Sequence, residues 1–584
     1  MLNKLLKTFL ALALTVTLFG CQKTPEPDQS FDEFISVVEK DMIDGTTSFN
    51  MNFLINDPKA LGFEEPDTYG IGYSTKEEYE EMYDTYAQYQ KQLQAYDYDK
   101  LSDVQKRTYD VLDDYLSRQI VLKDYYYYDN DVFGSYSTFV QELPLLLQMY
   151  AFNDVDDLEN YFKDIAAFKD DFINYINFEK ERQELGLGFS SDILEDTRSQ
   201  LEDIIAEGGK ETITEVNAVI DTLSFLNDDE KSLYKQKNEE AIGVTLIDAY
   251  QTLLDGLKEI EGQPETKGLY DLKNGKDYYK AMVYNQLGIK DSIEDIESRL
   301  EDVFEENFAA LQSFALTHYD LIADNEDYYN IRYSEFSTPE EGLDYLKTQI
   351  FNIVPEISDL DYRIYTVPES LQDGFAPAAY LSARIDMTDD QQECIMINPT
   401  STENILPTLV HEGYPGHMYQ HAYFLTLNYP TLHALVDCIG YTEGWAIYVE
   451  NQASRFIADQ DEADWQTLLI YDSNVTTPLL AIMDIGIHYH GWDYQDCVDY
   501  FKEKIGMDLG EDLRDLYDII VQTPAYYLYY IYSGQILTDL HDQAEQTLGS
   551  KFDDIAFNQA ILDSGPVGLD VVRRNVQNYI DANK

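Results

Sequence analysis

The heptapeptide His411-Glu412-Gly413-Tyr414-Pro415-Gly416-His417 gathers the residues of this chain best suited to hydrolytic chemistry. A His-Glu pair followed by a second His is the grammar of a zinc hydrolase. Two neutral imidazoles hold the metal, and the carboxylate beside the first activates a water. Only eight histidines occur in 584 residues, and four of them, His411, His417, His421 and His433, fall within 23 positions. In the familiar H-E-x-x-H spacing the two histidines share one helix face. Here they stand six residues apart, which leaves them about 120° apart on a straight helix. A regular helix cannot bring both to one ion. Pro415 removes a backbone donor and Gly416 tolerates an irregular backbone, so the metal hypothesis predicts a distorted helix whose bulge or kink re-aims His417.

A third ligand is expected a few turns downstream on a neighbouring helix. Gly440-Tyr441-Thr442-Glu443-Gly444-Trp445-Ala446-Ile447-Tyr448-Val449-Glu450 offers Glu443 in an otherwise apolar helical segment. A carboxylate buried there is costly unless it has a partner, and a metal is such a partner. Glu443 is therefore the third ligand candidate. Glu450, two turns along on the same face, is placed to accept a hydrogen bond from a ligand or to act as a structural acid.

Attack on a carbonyl also needs a donor for the oxygen that gains charge. His488, in a Gly-bracketed segment, and one tyrosine of the cluster Tyr526, Tyr527, Tyr529, Tyr530 and Tyr532 are the candidates. The segment Asp373 to Tyr380, which ends in Ala378, Ala379 and Tyr380, lies just before the metal helix, where a β-edge could pair with an extended peptide. Only nine Lys and Arg occur between Tyr380 and Lys584, so Arg384, Arg573 and Arg574 form the short list for a substrate carboxylate.

These side chains need a large scaffold, and the chain is written to supply one. From about Phe31 to Leu360 apolar and aromatic residues recur three or four apart with acids between them, which predicts helices around 101–121, 191–205, 213–226 and 293–314. Thr338-Pro339-Glu340-Glu341 marks a helix start, with Thr as N-cap, Pro at the first position and Glu341 closing a capping box. Between Tyr362 and Asn398 short β-prone runs separated by turn residues predict a small antiparallel sheet next to the metal helix, and helical texture returns after Pro399. The expected fold is mainly α. A helical shell (31–360) and a metal-site half (361–584) form one domain.

The N-terminus carries its own signal. Lys4 and Lys7 precede an apolar run too short to cross a bilayer, and Leu18-Phe19-Gly20-Cys21 resembles a bacterial lipobox, in which the Cys thiol is lipidated. Residues 1–20 read as a lipoprotein signal peptide, Cys21 as the lipidation site, and 21–30 as a polar stalk. The expected setting is the bacterial cell envelope, extracytoplasmic, with the membrane reached only through the lipid. Cys394, Cys438 and Cys497 show no disulfide or thiolate-metal spacing and read as buried thiols. Charge narrows the partners further. With 40 Lys+Arg against 110 Asp+Glu the net charge is −70, and such a polyanion disfavours nucleic acid.

Taken together, the motifs resemble those of the bacterial DUF885 proteins, marked by H-E-x-x-P-G-H and E-G-W-A-x-Y-x-E, here His411–His417 and Glu443–Glu450. Further matches are Gly275 to Tyr279, Asp484 to His488 with Gly491-Trp492, and Pro524 to Gly534, where Tyr530 aligns with the family tyrosine. The family itself is similar to gluzincin peptidases. The resemblance implies a zincin-like helical fold around a cleft, one zinc ion on His411, His417 and Glu443, and Glu412 as base. One departure is Phe557-Asn558, where the family often reads Phe-His.

The leading expectation is a lipid-anchored zinc metallopeptidase acting on short peptides, with Glu412 as base and His488 or Tyr530 steadying the oxyanion. A zinc hydrolase of a non-peptide amide or ester, and a binding protein with a structural metal, are the alternatives.

Overall fold

In a computed structural model, residues 28–584 are described except 131, 137, 265–267, 320–332, 359–360, 369–371, 373–374, 387–392 and 507–509. Cys21, the leader and most of the stalk lie outside the described residues. The mixture of apolar residues at helical spacing with intervening acids folds as expected into a mainly α architecture. The four expected helices form as Asp103–Ile120, Ser191–Glu207, Lys210–Thr222 and Ile293–Thr317.

Helix Val155–Leu185 illustrates the local logic. Asp154 caps it by accepting the N–H groups of Asp156 and Asp157, and Gly186 ends it in the left-handed region at φ 73°. Between the ends, Leu158, Tyr161, Ile165, Phe168, Phe172 and Ile176 recur at helical spacing and are buried. They form the spine of an apolar core drawn from residues 49–260. A second and larger core runs from Phe31 to Ile580 and includes residues of the helices that carry His411, His417 and Glu443. The start signal at Thr338 holds in part. The Thr338 hydroxyl accepts the Glu341 N–H at 3.2 Å, but the Glu341 carboxylate reaches the amide of Ser337 rather than closing a box on Thr338.

Three strands form one sheet in the order β1-β3-β2, with β1 Tyr362–Thr366, β2 Ala378–Leu381 and β3 Glu393–Ile397. The sheet is mixed, which corrects the antiparallel expectation: β2 pairs antiparallel with β3, but β1 pairs parallel with it. Strand β3 is central and buried along its whole length, as its unbroken apolar run Cys394–Ile397 suits.

Helix Ile439–Glu450 carries Glu443 and packs against helix 406–412 on one side and helix Ser533–Leu548 on another. Small residues let the backbones of 439–450 and 533–548 approach. A Cβ on Gly444 would stand 2.9 Å from the Ser533 Cβ, and one on Gly534 would stand 2.4 Å from Ile447.

Candidate metal centre

The distortion required between His411 and His417 is a complete break. Helix Leu406–Glu412 ends at the glutamate, four residues turn the chain through a cis Tyr414-Pro415 peptide, and helix His417–Thr426 opens at the second histidine. Gly416 allows the turn to fold back onto the first helix, because a Cβ there would sit 1.7 Å from the His411 carbonyl oxygen and 2.3 Å from that of Val410. The Trp445 indole N–H donates to the Pro415 carbonyl at 2.8 Å in the buried interior. This bond ties the E-G-W segment to the turn that aims His417.

His411, His417 and Glu443 converge, with one ligand atom from each lying within 4.8 Å of the others. Nε2 of His411 and Nε2 of His417 each stand 3.4 Å from Glu443 Oε2. Ligands at about 2.0–2.2 Å from a tetrahedral zinc stand about 3.3–3.5 Å apart, so the spacing matches that ion. Glu443 Oε2 is buried and accepts no hydrogen bond. Such an atom needs a cation, and the donor set of two imidazoles and a carboxylate suits zinc.

Glu450 fixes the first ligand. Its Oε2 lies 2.8 Å from His411 Nδ1 and holds a proton there, so a metal ion would take the place of the second proton, on the Nε2 that faces Glu443. Burial opposes a charge on His411, but contacts with Glu443 and Glu450 outweigh it and raise the imidazole to about 10. Burial likewise works to raise Glu443, yet the two histidines hold it down to about 2. Both shifts describe a pocket arranged for positive charge.

Glu412 is held beside this cluster. The Tyr380 N–H on β2 donates to Glu412 Oε2 at 2.8 Å, and Glu412 Oε1 lies 3.9 Å from His411 Nε2. One carboxylate oxygen is thereby anchored while the other faces His411. Tyr530 comes in from the turn Leu528–Tyr532, its ring 6.3 Å from that of His411. Burial and then the charge of Glu443 push its phenol strongly upward, so it stays protonated and able to donate. Tyr526 packs on it at 5.1 Å.

Two further residues belong to this neighbourhood. Glu393, buried at the head of β3, accepts the Tyr380 hydroxyl at 2.5 Å through Oε2 and holds His421 Nδ1 at 2.8 Å through Oε1. His421 lies one turn beyond His417 on the same helix face. The sequence signal for Glu393 is an acid opening an apolar strand.

Other candidates fall elsewhere. His488 is fully buried. Its Nδ1 accepts the Leu269 N–H at 3.1 Å, so Nε2 carries the proton and donates to the Ile520 carbonyl at 2.8 Å. No N–H remains for an oxyanion, and burial lowers the imidazole to about 4. Arg384 binds the backbone and side chain of Asn52. Arg573 makes a two-pronged pair with Asp291 at 3.0 and 2.7 Å, and Arg574 pairs with Asp110 at 2.6 Å. Each of these arginines is thus committed to a partner of its own. The substrate-edge expectation also changes. Ala378 is buried in the core, Ala379 packs beside Val367 and Met396, and the Tyr380 amide is committed to Glu412. Asn558 is buried, accepting the Tyr448 hydroxyl and donating to the Ile353 carbonyl.

Residues 60–576 match the family described as bacterial protein of unknown function, DUF885. The chain belongs to that family. Its fold is similar to the crystal structure of a candidate lipoprotein from Colwellia psychrerythraea, with a TM-score of 0.79 and 17% identity over 95% of this chain and 99% of the other. It is also similar to a candidate lipoprotein of unknown function from Shewanella oneidensis, with a TM-score of 0.60 and 15% identity over 94% of this chain and 98% of the other. No curated protein matches. These matches establish the family and the fold.

Proposed function

We propose that this protein is a zinc-dependent hydrolase of the cell envelope that cleaves amide bonds in short peptides. The observation that carries the proposal is the buried Glu443 Oε2, without a hydrogen bond and 3.4 Å from two imidazole nitrogens, beside an anchored Glu412. A structural metal site has no use for a base next to its ligands.

When bound by His411, His417 and Glu443, a zinc ion supplies Lewis-acid polarisation of a carbonyl and acidifies water. The chain's own residues supply the rest. Glu412, oriented by the Tyr380 amide, takes a proton from the attacking water and returns it to the leaving amine. Tyr530 donates a hydrogen bond to the substrate oxygen as it gains negative charge. Glu450 keeps His411 in the tautomer that leaves Nε2 unprotonated.

Lipid anchoring at Cys21 completes the proposal. Its supports are the lipobox-like Leu18–Cys21, the description of two structurally similar proteins as candidate lipoproteins, and the lack of a helix long and apolar enough to cross a membrane among the described residues.

Metal content of the purified protein and mass-spectrometric profiling of a peptide library test the reading. One zinc per chain is expected, lost in the His411→Ala, His417→Ala double variant. Glu412→Gln should keep the metal and lose about a hundredfold or more in hydrolysis. Metal retained by the double variant, or cleavage untouched by Glu412→Gln, overturns it.

A further inference from the structure

The segments Gly275–Tyr279, Asp484–His488 and Pro524–Gly534 have no metal ligand among them, yet the fold brings them to one buried point. Asp484, near the end of helix Gln460–Ile485, accepts the Tyr279 hydroxyl at 2.5 Å and the Ala525 N–H at 3.1 Å, both through Oδ1. Its second oxygen, Oδ2, is buried without a hydrogen bond. Tyr279 is itself held from behind. Its ring stacks on His488 at 5.7 Å, and both nitrogens of that imidazole are bonded to backbone.

Ala525 is the unusual member. It holds φ at 64°, in the left-handed region that a residue with a Cβ enters at a cost of about 1–2 kcal/mol. Its carbonyl then accepts the N–H groups of Leu528 at 3.0 Å and Tyr529 at 3.2 Å, opening the turn that carries Tyr530 to the metal ligands. A continuous run of contacts therefore links Tyr279 and Asp484 through one backbone amide to Tyr530 beside His411.

The arrangement is expensive for a core. A buried carboxylate with one oxygen unpartnered costs more than an apolar residue of similar size. Packing alone does not account for it.

We propose that Asp484 and Tyr279 are positioning residues: they hold Ala525 in its left-handed conformation so that Tyr530 faces the metal centre. They touch neither substrate nor metal ligand. The catalytic consequence rests on the hydrolase reading, whereas the mechanical coupling does not.

The test separates the two. Tyr279→Phe, Asp484→Ala and Asp484→Asn are compared with wild type in zinc-supplemented buffer by hydrogen–deuterium exchange, zinc affinity and peptide hydrolysis. Tyr279→Phe and Asp484→Ala should speed exchange about tenfold in peptides covering 526–532 and leave 406–412 and 439–450 unchanged. Asp484→Asn keeps an acceptor toward Ala525 and should restore slow exchange. In hydrolysis, Tyr279→Phe should lower kcat with KM and zinc affinity preserved, and adding Tyr530→Phe should cause no further loss. If Asp484→Ala fails to fold, Tyr279→Phe, which removes one oxygen atom, decides alone. Exchange that rises throughout the chain, or not at all in 526–532, overturns the proposal, as do losses from Tyr279→Phe and Tyr530→Phe that multiply. A wild-type protein that cleaves no peptide overturns the hydrolase reading, and the exchange result still decides the coupling.

Discussion

Glu450 Oε2 stands 2.8 Å from His411 Nδ1, on the opposite edge of the imidazole from the nitrogen that faces Glu443. A carboxylate in that position fixes the ring and makes its other nitrogen more basic. Partners of this kind are worth about 10–100-fold in metal affinity. Glu450→Gln should therefore weaken zinc binding by that factor with the fold intact, as read by competition against a chelating zinc indicator. Unchanged affinity would place Glu450 among the structural acids.

The break between the metal helices depends on two contacts that a substitution can remove separately. Trp445→Phe removes the indole N–H that binds the Pro415 carbonyl together with one ring of a fully buried side chain, and the loss expected in unfolding free energy is about 2–4 kcal/mol. Gly416→Ala places a methyl group 1.7 Å from the His411 carbonyl oxygen. The turn must then reopen, and zinc binding should fall far more than in Trp445→Phe while the circular dichroism of this mostly helical chain changes little. Equal zinc affinity in the two variants would show that the turn does not aim His417.

Much of this centre was legible in residue types and spacing, because each signal was local. Pro415-Gly416 announced a distortion, an acid among apolar residues announced Glu443, and Glu450 lay at helical spacing from it. Where the expectations failed, the deciding partner was distant in sequence. Arg573 is taken by Asp291, 282 residues away, and His488 by Leu269, 219 residues away. A Gly-bracketed histidine looks the same locally whether it meets substrate or backbone. The parallel pairing of β1 with β3 is likewise decided by the path of the chain between them, to which strand composition is blind. Glu393 was missed because its partners, Tyr380 and His421, gather only in the fold.

Stability should respond to pH through Asp164, remote in sequence from the metal residues. Burial raises its carboxyl to about 7, against the Gly70 amide and the Tyr150 and Ser48 hydroxyls that bond to it. Between about pH 4 and 7 the folded state then binds a proton that the unfolded state has lost, so this group favours the fold at the acid end. Its contribution is lost as pH rises through 7. Asp164→Asn should flatten that slope, shrinking the fall in unfolding free energy between pH 5 and pH 8 by a few kcal/mol. Urea denaturation at the two pH values measures it, and a steeper fall in the variant would reverse the assignment.

The final expectation concerns which peptides the site accepts. Glu412 and Glu450 stand beside His411, Glu443 converges with it and His417, and Glu393 holds His421 one turn beyond; a zinc dication would offset only part of their charge. Arg384 is the only Lys or Arg between Arg363 and Arg455, and it is occupied by Asn52. A charged hydrogen bond to a terminal carboxylate contributes about 1.5–3 kcal/mol, which is more than tenfold in kcat/KM. With Arg384, Arg573 and Arg574 all committed to other partners, amidating the C-terminus of a substrate should change kcat/KM by less than about threefold. Lys-bearing peptides should be preferred over Asp-bearing ones, and added salt should narrow the gap because screening acts on this long-range term. A tenfold loss on amidation would require a carboxylate-binding cation at the site, and a preference for acidic peptides would mean that the field around Glu412 does not govern selection.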